Sequence, residues 1–247
     1  MDNFKFEPYS AIGFIGGSQT GKTTAINAII CNMDRYFKDV IPEFVLYCYS
    51  KYQDSFDQVK ECLQDKVMFY QDLPTESMIK DLSKRYKNPV IIFEDIFEKY
   101  IDTKMMLNVF LEGIHHDKFT VFFVLHNLYH SSKNRRSLQL STQYFGEFYF
   151  ILILYNSCYN ISYCSLYIYI FYFSVIFPTK ADGLSYEIFA RRMGAERSKE
   201  FKEVLSDIMK EKRYCMAVID LHPGSTSKFM VWTKMMPHES PIGYVID

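Results

Sequence analysis

Residues 16–23 of this chain read Gly-Gly-Ser-Gln-Thr-Gly-Lys-Thr, which fits the pattern G-x-x-x-x-G-K-[ST]. An apolar run, Ser10–Ile15, precedes the motif, and the helix-like segment Lys22–Cys31 follows it. Gly16 and Gly21 allow a tight loop whose backbone N–H groups point inward, the arrangement that cradles phosphate groups. A strand, this loop and a helix in succession predict the first unit of a parallel α/β sheet.

The loop pattern also predicts what its side chains bind. Lys22 is expected to reach the β- and γ-phosphates of a nucleoside triphosphate, and Thr23 to offer its hydroxyl to Mg²⁺ at the start of the helix. We therefore predict ATP and Mg²⁺ as ligands. The predicted nucleotide-binding residues are Gly16, Gly17, Ser18, Gln19, Thr20, Gly21, Lys22, Thr23 and Thr24.

Apolar runs of strand length alternate with helical patterns over the first 145 residues. Continuous apolar runs of this kind fit strands buried on both faces of a parallel sheet. The predicted strands after the first are Phe44–Tyr49, Val67–Tyr70, Val90–Phe93 and Thr120–Leu125, and the predicted helices are Gln53–Leu63 and Thr103–Gly113.

The end of the chain predicts two helices and then a pair of strands. The helices are Ser185–Met193 and Lys199–Lys210, and the strands are Tyr214–Leu221 and Lys228–Met235, joined through a Pro223-Gly224 turn. With no internal repeat and no Gly/Ser linker, residues 1–247 are predicted to form a single domain. Its expected fold is the α/β fold of P-loop NTPases, a mostly parallel central sheet flanked by helices, with a C-terminal strand pair.

Polar residues at the ends of two predicted strands supply the remaining chemistry. Glu94 and Asp95 directly follow Val90–Phe93. Glu94 is expected to join Thr23 in the Mg²⁺ shell, and Asp95 to polarise the attacking water. Asn127, just after the strand Thr120–Leu125, is expected to sense the γ-phosphate.

Arginines further along the chain are candidates for action on a neighbouring subunit. Arg136 lies in a basic stretch with Lys133 and Arg135, and it is the first candidate for a trans-acting arginine finger; Arg191 is the second. An ordinary solvated loop is an equally good interpretation of the three cations at 133–136.

Charge and cysteine usage narrow the class of protein. Lys and Arg number 28 against 29 Asp and Glu, which excludes a polybasic protein that holds nucleic acid by bulk charge. Charged residues at 23% and hydrophobic ones at 49% exclude wholesale disorder. The six cysteines form no C-x-x-C pair and the N-terminus lacks a signal-peptide pattern, so we expect free thiols and an intracellular location.

Beyond the loop motif, the chain resembles the packaging-type ATPases of the FtsK/HerA superfamily, those of polinton/adintovirus-like elements and of large double-stranded DNA viruses such as poxviruses. The resemblance covers about residues 8–145 and 175–237. Besides the loop, it is carried by Tyr47-Cys48-Tyr49, Gly113-Ile114-His115-His116, His126-Asn127-Leu128-Tyr129-His130, Lys133 with Arg136, Leu140 with Tyr144, Ala190-Arg191-Arg192-Met193 and Ala217-Val218-Ile219-Asp220-Leu221 before Pro223.

The resemblance implies a ring-forming motor that pumps DNA into a capsid, with ATP sites at subunit interfaces. Its partners would be double-stranded DNA, further copies of this chain and capsid proteins, and no membrane association would be expected. It would be located in the nucleus or at a viral assembly site. A ring would need basic residues only in its pore loops, which fits the net charge of −1.

Three departures from the family pattern bear on turnover more than on nucleotide binding. Glu94-Asp95 stands where the family usually has two aspartates, His126-Asn127 where it has Gln-Asn, and Ser141 where it has Asn. Two other functions therefore stay open: a catalytically impaired nucleotide-binding relic, or a P-loop NTPase with another DNA-linked role, such as a helicase loader or partition motor.

Residues 147–174 interrupt the resemblance with an aromatic-rich insert. Its 28 residues include seven Tyr and four Phe, and Glu147 is their only charge. A transmembrane helix needs about 20 apolar residues, but here the tyrosines are spread through the middle rather than gathered at the interfaces. A native buried hairpin and a translated intron are the other interpretations.

The borders of the insert favour the intron. Gly146-Glu147-Phe148 can be encoded GGT GAG TTT, which contains the splice donor GTGAGT, and Phe173-Ser174-Val175 can be encoded with the acceptor CAG after a pyrimidine tract. Excision keeps the frame and fuses Gly146 and Val175 into one Val codon. The joined sequence then reads Gln143-Tyr144-Phe145-Val-Ile176-Phe177-Pro178, a single apolar strand.

Overall fold

The computed structural model describes residues 4–126, 173–176, 195–211, 216–220 and 230–246. The strands in these ranges are β1 (Ala11–Ile15), β2 (Val45–Tyr49), β3 (Val67–Gln71), β4 (Val90–Glu94), β5 (Thr120–Leu125), β6 (Phe173–Ile176), β7 (Ala217–Asp220), β8 (Val231–Thr233) and β9 (Ile242–Tyr244). The α-helices are α1 (Lys22–Ile30), α2 (Met33–Tyr36), α3 (Ser55–Leu63), α4 (Glu76–Arg85), α5 (Phe97–Tyr100), α6 (Lys104–Asn108) and α7 (Ala195–Glu211). A 3₁₀ turn spans Gln64–Lys66, and a π-helical segment spans Val109–Lys118.

These strands form one sheet in the order β3-β2-β4-β5-β1-β6-β7-β8-β9. In this spatial order, each pair of neighbouring strands from β3 through β1 to β6 is parallel. Strands β7, β8 and β9 each run antiparallel to the strand before them. The prediction of a mostly parallel α/β fold of the P-loop NTPase type is confirmed. The predicted C-terminal strand pair corresponds to β7 and β8, and β9 extends it.

Side chains of the parallel strands alternate between two buried layers. Ile12 and Phe14 of β1 face a layer formed with α1, α2 and α3, whereas Ala11 and Ile15 face one formed with α4, α5, α6 and the π-helical segment. The two layers result from the period-2 geometry of a strand covered on both faces. Helix α7 packs a separate apolar cluster against β7 and β8.

Gly13, in the middle of β1, packs against an aromatic ring. A Cβ at this position would lie 2.8 Å from Cζ of Phe123. That ring is held between Phe97 and Phe110, at centroid distances of 4.6 Å and 5.4 Å, so it has little room to move. The sheet therefore requires glycine at this position.

We expect Gly13→Ala to lower the free energy of unfolding by about 1–3 kcal/mol, the usual cost of an overpacked core. Urea denaturation followed by circular dichroism measures it. Gly17→Ala is the matched control, since its Cβ would meet only Cγ2 of Thr20 at 3.9 Å, an ordinary van der Waals contact. Equal stability of the two variants would contradict this account of Gly13.

The polar stretch before Pro89 forms a helix that the apolar pattern did not predict. Helix α4 buries Ile79 and Leu82, and the Thr75 hydroxyl caps it by accepting a hydrogen bond from Met78 N–H at 3.2 Å. Only Met78, Ile79 and Leu82 of its ten residues are apolar, so its composition indicates a polar stretch, although these three residues lie on one face of the helix. The predicted helix Thr103–Gly113 corresponds to α6 followed by the π-helical segment.

Several predictions fall outside the described ranges, among them the helix Ser185–Met193, the Pro223-Gly224 turn and residues 147–172 of the insert. The last two residues of that insert, Phe173 and Ser174, form the first half of β6. In the part of the chain that the structure describes, no helix is long and apolar enough to cross a membrane.

Candidate nucleotide-binding site

The loop between β1 and α1 lies at the carboxyl edge of the sheet. Gly16 N–H anchors it by donating to the Leu125 carbonyl of β5 at 3.0 Å, and the Thr20 hydroxyl donates to the Gly17 carbonyl at 2.9 Å. Gly21, which precedes α1, has φ of 97°, in the left-handed region that favours glycine. The glycine at position 21 thus has a direct backbone cause.

The Lys22 amine is held inside this loop. Only 6% of the residue is exposed, and Nζ donates to the carbonyls of Gly16 at 2.8 Å and Gly17 at 2.6 Å. Burial lowers the pKa of this amine, while the nearby carboxylates of Asp95 and Glu94 raise it. An ammonium group is thereby placed where the terminal phosphates of a nucleotide would lie.

Thr23 and Glu94 meet as the motif predicts for a metal site. The Thr23 hydroxyl donates to one oxygen of the Glu94 carboxylate, although the two residues lie on α1 and on β4. Burial raises the pKa of the Glu94 carboxyl, and hydrogen bonds from Thr23 and Tyr47 act in the opposite direction. Hydroxyl and carboxylate oxygens are ligands that Mg²⁺ prefers, so this pair fits the ion.

Tyr47 holds the second oxygen of the same carboxylate. Its hydroxyl donates to Glu94 and lies 3.2 Å from Oδ1 of Asn27 on α1. Tyr47 is fully buried on β2, the strand beside β4. Sequence reasoning noted this tyrosine only as part of the family resemblance; nothing in the local pattern indicates a partner 47 residues away.

Strand β5 brings His126 next to Asp95. Because β5 lies between β1 and β4, its carboxyl end falls between the phosphate loop and the acidic pair. His126 Nε2 lies 3.2 Å from Asp95 Oδ1, and His126 N–H donates to Glu98 Oε1 at 2.9 Å. Asp95 has φ of 54°, an uncommon conformation of the kind that is found at functional sites.

A cavity of about 600 Å³ lies in front of these groups, within the range of small-molecule sites. Seven of the nine predicted nucleotide-binding residues, 18–24, line it, together with Glu94, Asp95 and His126. The rest of the lining includes Gln53 and residues near the C-terminus that sequence reasoning did not identify: Met216, Thr233, Lys234, Met236 and Glu239.

Three of the predicted functional residues lie outside the described ranges. They are Asn127, the predicted γ-phosphate sensor, and Arg136 and Arg191, the candidates for the trans-acting finger. Their roles stay predictions from the sequence.

Sheet order, loop and site geometry together define an α/β protein of the P-loop NTPase class. No family model matches the chain, and no curated protein matches it. Among solved structures it is similar to an ATPase from the type III secretion system of pathogenic bacteria, at 11% sequence identity and a TM-score of 0.34. That similarity covers 72% of this chain and 53% of the other, so this chain spans about half of that protein's length.

Proposed function

We propose that this chain hydrolyses ATP and couples hydrolysis to movement along double-stranded DNA, as a motor of the packaging type. The observation that carries the hydrolytic part is a contact between α1 and β4. Thr23, which directly follows the loop lysine, donates a hydrogen bond to the buried carboxylate of Glu94. A phosphate loop alone would serve binding. A loop joined to a buried carboxylate on a neighbouring element supports metal-assisted phosphoryl transfer.

Each residue would act on a different part of the reaction. Lys22 would exchange the carbonyls of Gly16 and Gly17 for phosphate oxygens. Thr23 and Glu94 would hold Mg²⁺, which neutralises charge on the phosphates when bound. Asp95 would orient the attacking water, and His126, 3.2 Å away, would fix the orientation of Asp95.

The DNA-linked part is supported by the sequence resemblance to packaging-type ATPases. A net charge of −1 fits a protein that touches DNA through a few basic residues rather than through its whole surface. In such a motor the chain would form a homo-oligomeric ring, and Arg136 would act on the ATP bound to a neighbouring subunit. Capsid proteins would be its partners.

ATP hydrolysis with and without double-stranded DNA tests the proposal. We expect DNA to stimulate hydrolysis and Asp95→Asn to abolish the stimulated rate, because an amide cannot accept the proton of the attacking water. Displacement of a triplex-forming oligonucleotide from the same DNA then reports translocation. Lys84→Ala on the exposed face of α4 is the control and should leave both activities unchanged.

The other outcomes distinguish the alternatives. DNA-stimulated hydrolysis without displacement would contradict translocation and favour another DNA-linked role. ATP binding with no measurable hydrolysis would contradict the enzymatic proposal and favour a nucleotide-binding relic.

A further inference from the structure

The cavity at the phosphate loop has a second wall with a different chemistry. Glu94, Asp95 and His126 reach it from β4 and β5, on one side of β1. The second wall comes from the start of β7 and the end of β8, on the other side of β1. Its members are Met216, Thr233, Lys234, Met236 and Glu239.

This wall combines apolar and polar groups. Met216 is buried, Met236 is half-buried, and both pack on the apolar layer that contains α1. Thioethers are polarizable and make favourable contacts with aromatic rings. The Glu239 carboxylate accepts a hydrogen bond from Met236 N–H at 3.2 Å, which folds the turn back on itself. A flat ring with polar edges suits such a surface.

Helix α2 anchors the wall from behind. The Arg35 guanidinium donates to the backbone carbonyls of Pro237 and Glu239, the latter at 3.0 Å, and the Tyr36 hydroxyl donates to the carbonyl of Met235. Helix α2 begins three residues after α1 ends. The helix that starts at the phosphate loop is therefore connected to the element that fixes the second wall.

The end of β8 directs the chain toward the cavity. The Thr233 hydroxyl donates to the Met216 carbonyl at 3.0 Å, which joins the two parts of the wall. Lys234 then has φ of 55°, a conformation that costs free energy in a non-glycine residue and turns the chain out of the strand. The wall is held in place before any ligand arrives.

We propose that residues 234–239 form the nucleoside subsite, where Met236 contacts the base of the nucleoside triphosphate. This inference deepens the proposed function and depends on its phosphate site. The loop accounts only for the phosphates, and the cavity continues from the loop to this wall. Arg35 is a positioning residue in the same arrangement, because it holds the turn without lining the cavity.

Calorimetric binding of ATP and of inorganic tripolyphosphate separates the two halves of the site. We expect Met236→Ala to weaken ATP binding about tenfold and to leave tripolyphosphate binding unchanged. Met230→Ala is the matched control, since Met230 is also half-buried but packs on the cluster around α7, away from the cavity. It should alter neither affinity.

Amide hydrogen exchange gives a second measurement that needs no variant. ATP should slow exchange at residues 234–239, whereas tripolyphosphate should protect only the phosphate loop. The subsite would be overturned if Met236→Ala weakened the affinity for ATP and for tripolyphosphate equally, or weakened neither. Equal protection of residues 234–239 by the two ligands would overturn it as well. Failure of the phosphate site is a different result: wild-type protein would then not bind tripolyphosphate.

Discussion

Replacement of Lys22 by alanine is expected to abolish ATP turnover, with a loss of about 100-fold or more. The Lys22 amine is the cation that the loop itself encloses, through the carbonyls of Gly16 and Gly17. Without it, the phosphates would face the carboxylates of Glu94 and Asp95 with no cation from the loop. Steady-state phosphate release at saturating ATP measures the loss, and tripolyphosphate binding measures the loss of the phosphate site.

Two variants make the Lys22 result specific. Glu94→Gln keeps the shape of the side chain but removes the charge that would hold Mg²⁺, so we expect ATP binding without turnover. Lys84→Ala removes an exposed lysine of α4 and should behave as wild type. Thermal unfolding of Lys22→Ala, Glu94→Gln and Lys84→Ala tests whether each variant is folded, which separates a loss of turnover from a loss of fold. Persistent hydrolysis by folded Lys22→Ala protein would contradict the assignment of the site.

Local sequence determines the phosphate half of this site, which is why it could be predicted. Residues 16–23 are consecutive, and their loop conformation depends on the left-handed backbone at Gly21 and on the strand and helix at either end. The position of Glu94 was also predictable, because a buried apolar run that ends in a carboxylate has few other interpretations. Parallel strands then bring such ends to one edge of the sheet.

Contacts between distant segments determine the rest, and no local pattern encodes them. Tyr47 reaches Glu94 only because β2 pairs with β4, and His126 reaches Asp95 only because β5 enters between β4 and β1. The second wall of the cavity is more distant still along the chain, since Arg35, which anchors it, and Glu239 are 204 residues apart. Single-sequence periodicity contains no information about strand order, so these partners required the structure.

The Glu94 carboxylate is held by donors on two different elements. The side chain is longer than aspartate by one methylene, and both of its oxygens have donors, Thr23 on α1 and Tyr47 on β2. Two donors on different elements restrict the rotamers of a longer side chain. The carboxylate is therefore held in contact with the loop hydroxyl.

The chain joined without its insert is expected to give severalfold more soluble protein than the chain as written. Residues 147–174 carry one charge, and no other charge follows until Lys180. An apolar, aromatic run of this length with high β-propensity is an aggregation hazard. Parallel expression of the two chains, followed by size-exclusion chromatography of the soluble fractions, measures the difference, and equal soluble yield would contradict the prediction.

The register of β6 makes the boundaries of the excision testable. Phe173 and Ser174 pair with Ile12 and Gly13 of β1, so removal of the insert also removes half of this strand. In the joined chain, Tyr144 and Phe145 come immediately before the fused Val and Ile176, so we expect them to take the same two strand positions. Deletion of residues 150–177 shortens the chain by a similar length but removes all of β6 with no replacement. If the excision boundaries are correct, only the joined chain should gain solubility; equal rescue by both deletions would show that any shortening of the apolar run suffices.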